Sequence, residues 1–249
     1  MSDDVHAAGE ADRSSEAAGM QQGAEAAGPA LPNLAVRVFQ VVVSPSRLFD
    51  GLRTQPRWLG ALLLVVGIAL VTSFLIPSDI ITESVRQQML RAQPDAAPEA
   101  IERGMAVARI FRFAGPLVFM PIIMVVISAV LFLVYEMGMG GEAGFRSVLA
   151  STSHAFLIPS LGSLVTLPVV IKARNLQASL SLDLLAPGFD QGSYAYRFLH
   201  GMGIFGVWGA IVLGLGMSRI YPKRSTGGSI ALVLGLYVAF KAITAIFAR

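Results

Sequence analysis

The sequence predicts an all-α integral membrane protein: a bundle of five transmembrane helices, with short interfacial helices ahead of the first and a polar two-helix insert between the first and second. Two observations predict it. Of the 249 residues, 54% are hydrophobic and only 14% are charged, where a soluble domain carries about a quarter charged residues. Charge-free runs recur at Trp58–Ile76, Phe113–Tyr135, Ser147–Ile171, Phe198–Ser218 and Ser225–Phe240. Crossing about 30 Å of hydrocarbon takes roughly 20 apolar residues at helical rise, so each run reads as a span. Spans are expected near residues 57–76, 114–135, 148–171, 199–218 and 229–247, within a membrane domain covering 34–249. They occupy most of the chain beyond residue 57 and leave no room for a second folded domain.

Residues 1–33 precede this domain. Met1–Pro32 is rich in Ala, Gly, Ser and acidic residues and has neither a basic cap nor an apolar core of the signal-peptide kind. It has too little apolar surface to offset the entropy of ordering, which predicts a disordered tail. Leu34–Val43 is then apolar apart from Arg37 and Gln40. Ser44 and Pro45 have the chemistry of a helix N-cap and first helical position. The helix they open, Pro45–Arg53, puts Leu48, Phe49 and Leu52 on one side, a pattern suited to the membrane interface.

Between spans one and two, Pro77–Arg112 is the largest polar segment. Ser78 opens a helix to about Gln93, with Ile80, Ile81, Val85 and Met89 near helical spacing. Pro94–Pro98 breaks it, and a second helix from Glu99, with Ile101, Met105 and Ile110 on its apolar side, leads into span two. The interleaved Glu83, Arg86, Arg91, Glu99, Glu102, Arg103 and Arg109 read as a solvated face.

Spans two and three carry Pro116, Pro121, Pro159 and Pro168. Proline frees a carbonyl one turn back, and Ser128, Ser160, Ser163 and Thr166 are at hand to satisfy such groups. In span four, Gly206, Ala210, Gly214 and Ser218 repeat every fourth residue, and Ala231, Gly235 and Ala239 do the same in span five. Small residues let helix backbones approach closely in lipid, so both stripes are candidate helix-packing positions and spans four and five are expected to form a tight antiparallel hairpin. A dimer through one stripe is the other use of the pattern.

Two ionisable residues inside spans are candidate intramembrane polar sites, His154 and Lys241. No span offers His154 a carboxylate partner, so it reads as a hydrogen-bonded interfacial imidazole, and Lys241 reads as snorkelling to the interface. No catalytic or metal-binding motif is present: there is no H-E-x-x-H, no nucleophile elbow, and Gly201-x-Gly203-x-x-Gly206 lies in an apolar helix. There is no cysteine, and no cofactor is expected. The basic pI of about 9.5 comes from scattered arginines, which excludes the concentrated basic face that nucleic acid requires. Arg47, Arg53 and Arg57, close to Trp58, favour a cytoplasmic N-terminus.

Four segments together resemble the prokaryotic branch of the Yip (Ypt-interacting protein) domain family. Ser44-Pro45-x-x-Leu48-Phe49 followed by Gln55-Pro56-x-Trp58 is similar to the family's entry into span one. The polar two-helix insert is similar to that of prokaryotic members. Gly140-Gly141-x-x-x-Phe145-Arg146-x-Val148 resembles the glycine-then-aromatic start of span three. Gly203-Ile204-Phe205-x-Val207-Trp208 followed by Gly214-x-Gly216 resembles the family's Asp-aliphatic-Phe-x-aliphatic-Trp segment, with Gly203 where an acid often stands. The resemblance spans residues 36–247 and implies five spans with a cytosolic N-terminus, here in a bacterial cytoplasmic membrane. Its eukaryotic members serve small GTPases and vesicle traffic, a partner that does not carry over to a prokaryotic chain. The partners expected are the lipid bilayer and a membrane protein or further copies of this chain. The sequence leaves two functional readings: a non-enzymatic membrane organiser or adaptor, and a small permease or channel component with a wet cavity lined by His154, His200, Thr166, Ser151 and Ser153.

Overall fold

The computed structural model describes residues 31–176, 178, 180–185, 188–190 and 192–247. The expected tail, 1–33, lies almost wholly outside them. Among the described residues the elements are helical, with one isolated antiparallel bridge between Ser181 and Gly203.

Asn33 caps α1 (Leu34–Val43), its side-chain oxygen accepting from the Val36 amide at 3.0 Å. The face of α1 turned inward is the polar one. Arg37 and Val41 are buried, while Phe39 is 67% and Val43 58% exposed. An apolar outer face and a polar inner one suit a helix whose surroundings are hydrocarbon rather than water. Pro45 opens α2 (Pro45–Thr54), although the Ser44 side chain makes no capping bond, and Leu48, Phe49 and Leu52 are buried.

α3 (Leu59–Leu75) ends at Pro77, where the chain turns by 92° into α4 (Ser78–Ala92). The last carbonyls of α3 would be left without partners by this turn. Arg112, from the facing helix, donates to the carbonyls of Ser73, Phe74 and Ile76 and to Ser78 Oγ, so one guanidinium holds the bend. α5 (Pro98–Leu133) carries on as one helix through Pro116 and Pro121 into a π-turn, Val134–Gly138. Its first turns pack on α4 at Gly104, where a Cβ would overlap the Met89 sulfur.

Span three is one run of two helices, α6 (Phe145–Ala155) and α7 (Leu157–Ala173), broken at Phe156. Pro159 explains the break, since it cannot donate to the Ala155 carbonyl. Sequence reasoning assigned nearby hydroxyls to such freed carbonyls, and the structure does otherwise. Ser128, Ser163 and Thr166 bond to Met124, Ser160, Gly162 and Ser163, none of which a proline frees.

The fourth apolar run is also divided. α8 (Tyr194–Gly201) stops at Met202, and α9 (Ile204–Ile220) begins after Gly203, so this span starts five residues later than expected. The cause is the strand-like segment before it: Leu182 N donates to Met202 O, and Ile204 N to Leu180 O, which takes the backbone of 202–204 out of helix. α10 (Thr226–Phe247) starts earlier than expected, with Gly227 and Gly228 in its first turn and Ser225 Oγ accepting from the Gly228 amide.

α9 occupies the middle. It packs on α10 along one side, on α6 and α7 along the other, and on α2 near its end, while α3 lies against α5, α6 and α7. Gly214 sets the α9–α10 spacing, because a Cβ there would lie 2.6 Å from Ile230 Cα. Gly206 faces the Tyr237 hydroxyl, Ser218 Oγ reaches Thr226 Oγ1 at 3.3 Å, and Ala210 is buried. The span-five stripe is placed differently from the expected hairpin contact. Ala231, Gly235 and Ala239 are exposed, with open space beyond Gly235, and it is Ser229, Val233 and Tyr237 that face inward. A repeat of four defines a face, but two opposite faces of α10 carry one, and the bulkier face meets the glycines of α9.

Three helical runs, Pro98–Gly138, Phe145–Ala173 and Thr226–Phe247, are long and apolar enough to cross a membrane, and α3 passes the same measure only when taken together with α4 across their bend. α9 is a shorter apolar helix of 17 residues.

These contacts separate two glycines of similar sequence context. Gly214→Leu has to displace backbone and is expected to destabilise the fold by about 2–3 kcal/mol, whereas Gly235→Leu stays within about 0.5 kcal/mol of the parent. Thermal unfolding of the detergent-solubilised variants, followed by retention of monodisperse protein, distinguishes them; equal losses would refute the assigned faces.

Candidate functional site

The most buried stretch of the chain is also unusually polar. Every residue from Ser147 to Ala155 of α6 is buried, including Ser151, Thr152, Ser153 and His154 at 0% exposure. His154 Nδ1 is 2.8 Å from the Ala150 carbonyl, and Nε2 is 3.2 Å from an Arg37 guanidinium nitrogen. A guanidinium can only donate, so Nε2 accepts and Nδ1 carries the proton it gives to Ala150. His154 is therefore neutral and held in one tautomer. The same Arg37 nitrogen donates to the Arg57 carbonyl at 3.2 Å, linking α1, the entry to α3 and α6 through one side chain. His154 is thus hydrogen-bonded and buried within the protein, and its partner is a cation supplied by a short helix. Burial, reinforced by the nearby Arg57 charge, lowers the Arg37 pKa. Ser151, Ser153, Gln40 Oε1 and Arg37 Nε find no protein partner.

A second cluster closes the end of the bundle where α5 hands over to α6. Glu136 Oε1 accepts from the Ala143 amide at 2.6 Å and from the Tyr221 hydroxyl at 3.0 Å. Burial and then the Glu136 carboxylate push the Tyr221 phenol above its ordinary range, which keeps it a donor. Its ring stacks on Tyr135 at 4.8 Å. Gly141 passes so close that a Cβ would overlap Tyr221, and Gly140 adopts φ +64°, a conformation that favours glycine. Arg224 donates to the Met139 carbonyl, tying this loop to the α9–α10 turn.

A third cluster stands at the opposite end. Asp183 accepts from Ser181 Oγ and lies 3.1 Å from His200 Nδ1, and the His200 ring stacks on Tyr196. Burial raises the Asp183 pKa, but the hydrogen bonds from Ser181 and His200 outweigh it and leave the carboxyl below its usual range.

The polar residues proposed to line one cavity are therefore not gathered together. His200 belongs to the Asp183 cluster, Thr166 bonds to its own helix, and His154 faces Arg37. The larger clefts lie elsewhere, one beside Tyr221 and one between α4 and α5 at Ser78, Arg109 and Phe113. The Lys241 ammonium lies 5.7 Å over the Tyr237 ring, with its stem near Gly201 of α8. No group of three His, Asp or Glu that could hold a metal occurs among the described residues.

Sequence reasoning missed Arg37 and Asp183, and the close approaches at Gly209 and Gly216 on the other side of α9 and at Gly162 of α7. A Cβ at Gly209 would press on Pro159, one at Gly216 on Ser151 and Phe49, and one at Gly162 on the Phe205 ring. Gly209 and Gly216 are seven residues apart, a one-face spacing that was available to find them.

Apolar helices of spanning length, packed closely on one another, define a multi-pass helical membrane protein. The particular family follows from comparison: a Yip1 domain model matches residues 39–248, and the chain belongs to the Yip1 domain family. It is 25% identical over 207 residues to the membrane protein YknW of Bacillus subtilis (strain 168), covering 82% of this chain and 87% of that one. No solved structure matches. A prokaryotic Yip-type protein, as the Ser44–Trp58 and Gly203–Gly216 segments suggested, is thus what the comparisons support.

Two outcomes test these clusters. Arg37→Met and His154→Leu should each cost about 1–3 kcal/mol by stranding the other partner, and the double variant should cost less than their sum by at least about 0.5 kcal/mol in a double-mutant cycle. Additive losses would show that the pair does not interact. Because folding lowers the Asp183 pKa, its contribution is complete above the ordinary carboxylate value of about 3.9 and is lost as pH falls through the folded value. The thermal midpoint of Asp183→Asn should accordingly approach that of the parent as pH is lowered from 6 to 3, and a constant gap over that range would contradict the assignment.

Proposed function

We propose that this chain is a non-enzymatic organiser or adaptor of the bacterial cytoplasmic membrane, acting by lateral helix contact with a membrane-protein partner or with copies of itself. Five crossings are part of the proposal, with α3 and α9 each crossing in 17 residues, at the short end of what a bilayer requires. The N-terminus is cytoplasmic. The support for this is the basic entry to α3, where Arg47, Arg53 and Arg57 flank the first crossing. Arg146, Arg219, Lys223 and Arg224 belong to the same end of the helices.

The observation that carries the adaptor reading is the outer face of α10. Its stripe of Ala231, Gly235 and Ala239 is turned away from α9, so a neighbouring helix meets no side-chain barrier there. The bundle leaves this face and that of α5 largely unused: 11% and 17% of their apolar stretches are buried. Of the interior polar side chains, Arg37, His154, Glu136 and Tyr221 bond between elements of the same chain.

Photocrosslinking in native membranes from a reactive residue at Ala239, followed by mass spectrometry, tests this. Discrete protein adducts that disappear on Gly235→Leu are expected. Adducts to lipid alone would sink the adaptor reading, and solute flux in liposomes that depends on His154 would replace it with the permease.

A further inference from the structure

The cleft beside Tyr221 has a chemistry that the adaptor reading does not use. It measures about 310 Å³ and lies between α2, the loop from Gly140 to Gly144, the start of α6 and the α9–α10 turn. Three cations from two separate segments border it, Arg53 of α2 and Lys223 and Arg224 of the turn, against one acid, Glu142. Arg53 has no ion-pair or hydrogen-bond partner among the described residues, and its side chain is exposed. Lys223 bonds Glu142 at 3.0 Å, but both side chains are more than 70% exposed. Such a pair is worth little and exchanges readily for a better anion. Arg224 is fixed by the Met139 carbonyl and keeps its charge at the cleft wall. Gly140, Gly141 and Gly144 line the opposite wall, so only Glu142 and Ala143 of that loop put side chains between its backbone and an occupant.

The location narrows the anion further. This end of the chain is where α5 finishes and α9 turns into α10, which is headgroup depth for a bundle of crossing helices. Beside it, Leu133 is 50% and Met137 80% exposed at the close of α5, an apolar flank continuous with the outer face of that helix. A ligand with a phosphate at one end and hydrocarbon at the other satisfies both the cations and the flank, whereas a soluble phosphate satisfies only the first. Juxtamembrane cations attract anionic lipid by about fivefold each.

We propose that this cleft binds the phosphate of an anionic phospholipid from the adjoining leaflet, with Arg53 and Lys223 as its exchangeable cations and Arg224 as a fixed one. The proposal is independent of any protein partner at α10. The full-length protein in detergent, titrated with phosphatidylglycerol or phosphatidylcholine and read by native mass spectrometry, provides the test. Phosphatidylglycerol should be retained in preference to phosphatidylcholine. Arg53→Gln and Lys223→Gln should each weaken that retention about fivefold, and Arg103→Gln, an equal charge loss on the first turns of α5, should leave it unchanged. Equal retention of the two lipids, or an equal loss in all three variants, would overturn the site. Displacement of phosphatidylglycerol by inorganic phosphate at matching concentration would overturn the lipid as its source and leave a soluble phosphate. Both cleft variants alter exposed side chains, and unchanged thermal midpoints confirm that retention reports binding rather than unfolding.

Discussion

Everything in this bundle is arranged around how closely other helices approach α9. Between helices in lipid there is no hydrophobic drive, so contact has to come from packing and from hydrogen bonds. α9 meets α10 at Gly214 and Gly206, and it meets α7, α6 and α2 at Gly209 and Gly216. The two sets lie on different faces, so neither neighbour can be moved without the other. Tyr135, Tyr221, Met217 and Val233 fill the space left beside those approaches. Had α9 carried larger residues, the surrounding helices would stand apart and the interior would hold lipid.

The same constraint explains where the polar groups are. In hydrocarbon an unpaired backbone or side-chain dipole costs several kcal/mol, and the chain meets that cost with three long side chains, each reaching across elements. Arg112 gathers the loose carbonyls at the bend after α3. Arg37 joins α1 to the start of α3 and to His154. Glu136 organises the loop between α5 and α6 with the help of Tyr221. A charged residue in an apolar setting is commonly read as a functional site, yet all three tie separate segments of the chain together.

Much of the helical layout was legible in the sequence, because a charge-free run of span length has few other structural outcomes. The face of α2 carrying Leu48, Phe49 and Leu52 was legible for the same reason, as simple periodicity with one buried side. The roles of Arg37 and Asp183 were not. Sequence spacing shows which residues share a helix face, but not which distant helix that face meets, and Arg37 and His154 are 117 residues apart. Which face of α10 meets α9 was hidden for a related reason: Ala231, Gly235 and Ala239 share a face, and so do Ser229, Val233 and Tyr237, with only the tertiary fold choosing between them. The divided start of α9 depended on a backbone pairing between Leu180–Leu182 and Met202–Ile204, for which an irregular loop leaves no pattern.

The central place of α9 has a consequence for the order of events in synthesis. The helix that the rest of the bundle closes upon is made after α1 to α8. Phe49 and Leu52 of α2, fully buried in the finished protein, leave the ribosome about 170 residues ahead of the end of α9, some 10–30 s at ordinary elongation rates. For that interval only α1 and, once made, α6 cover α2, and the rest of its apolar side has to rest in the membrane surface or on a chaperone. The α9–α10 hairpin then meets helices already in place, and α9 seats against α2, α6 and α7 at the close approaches that its glycines allow.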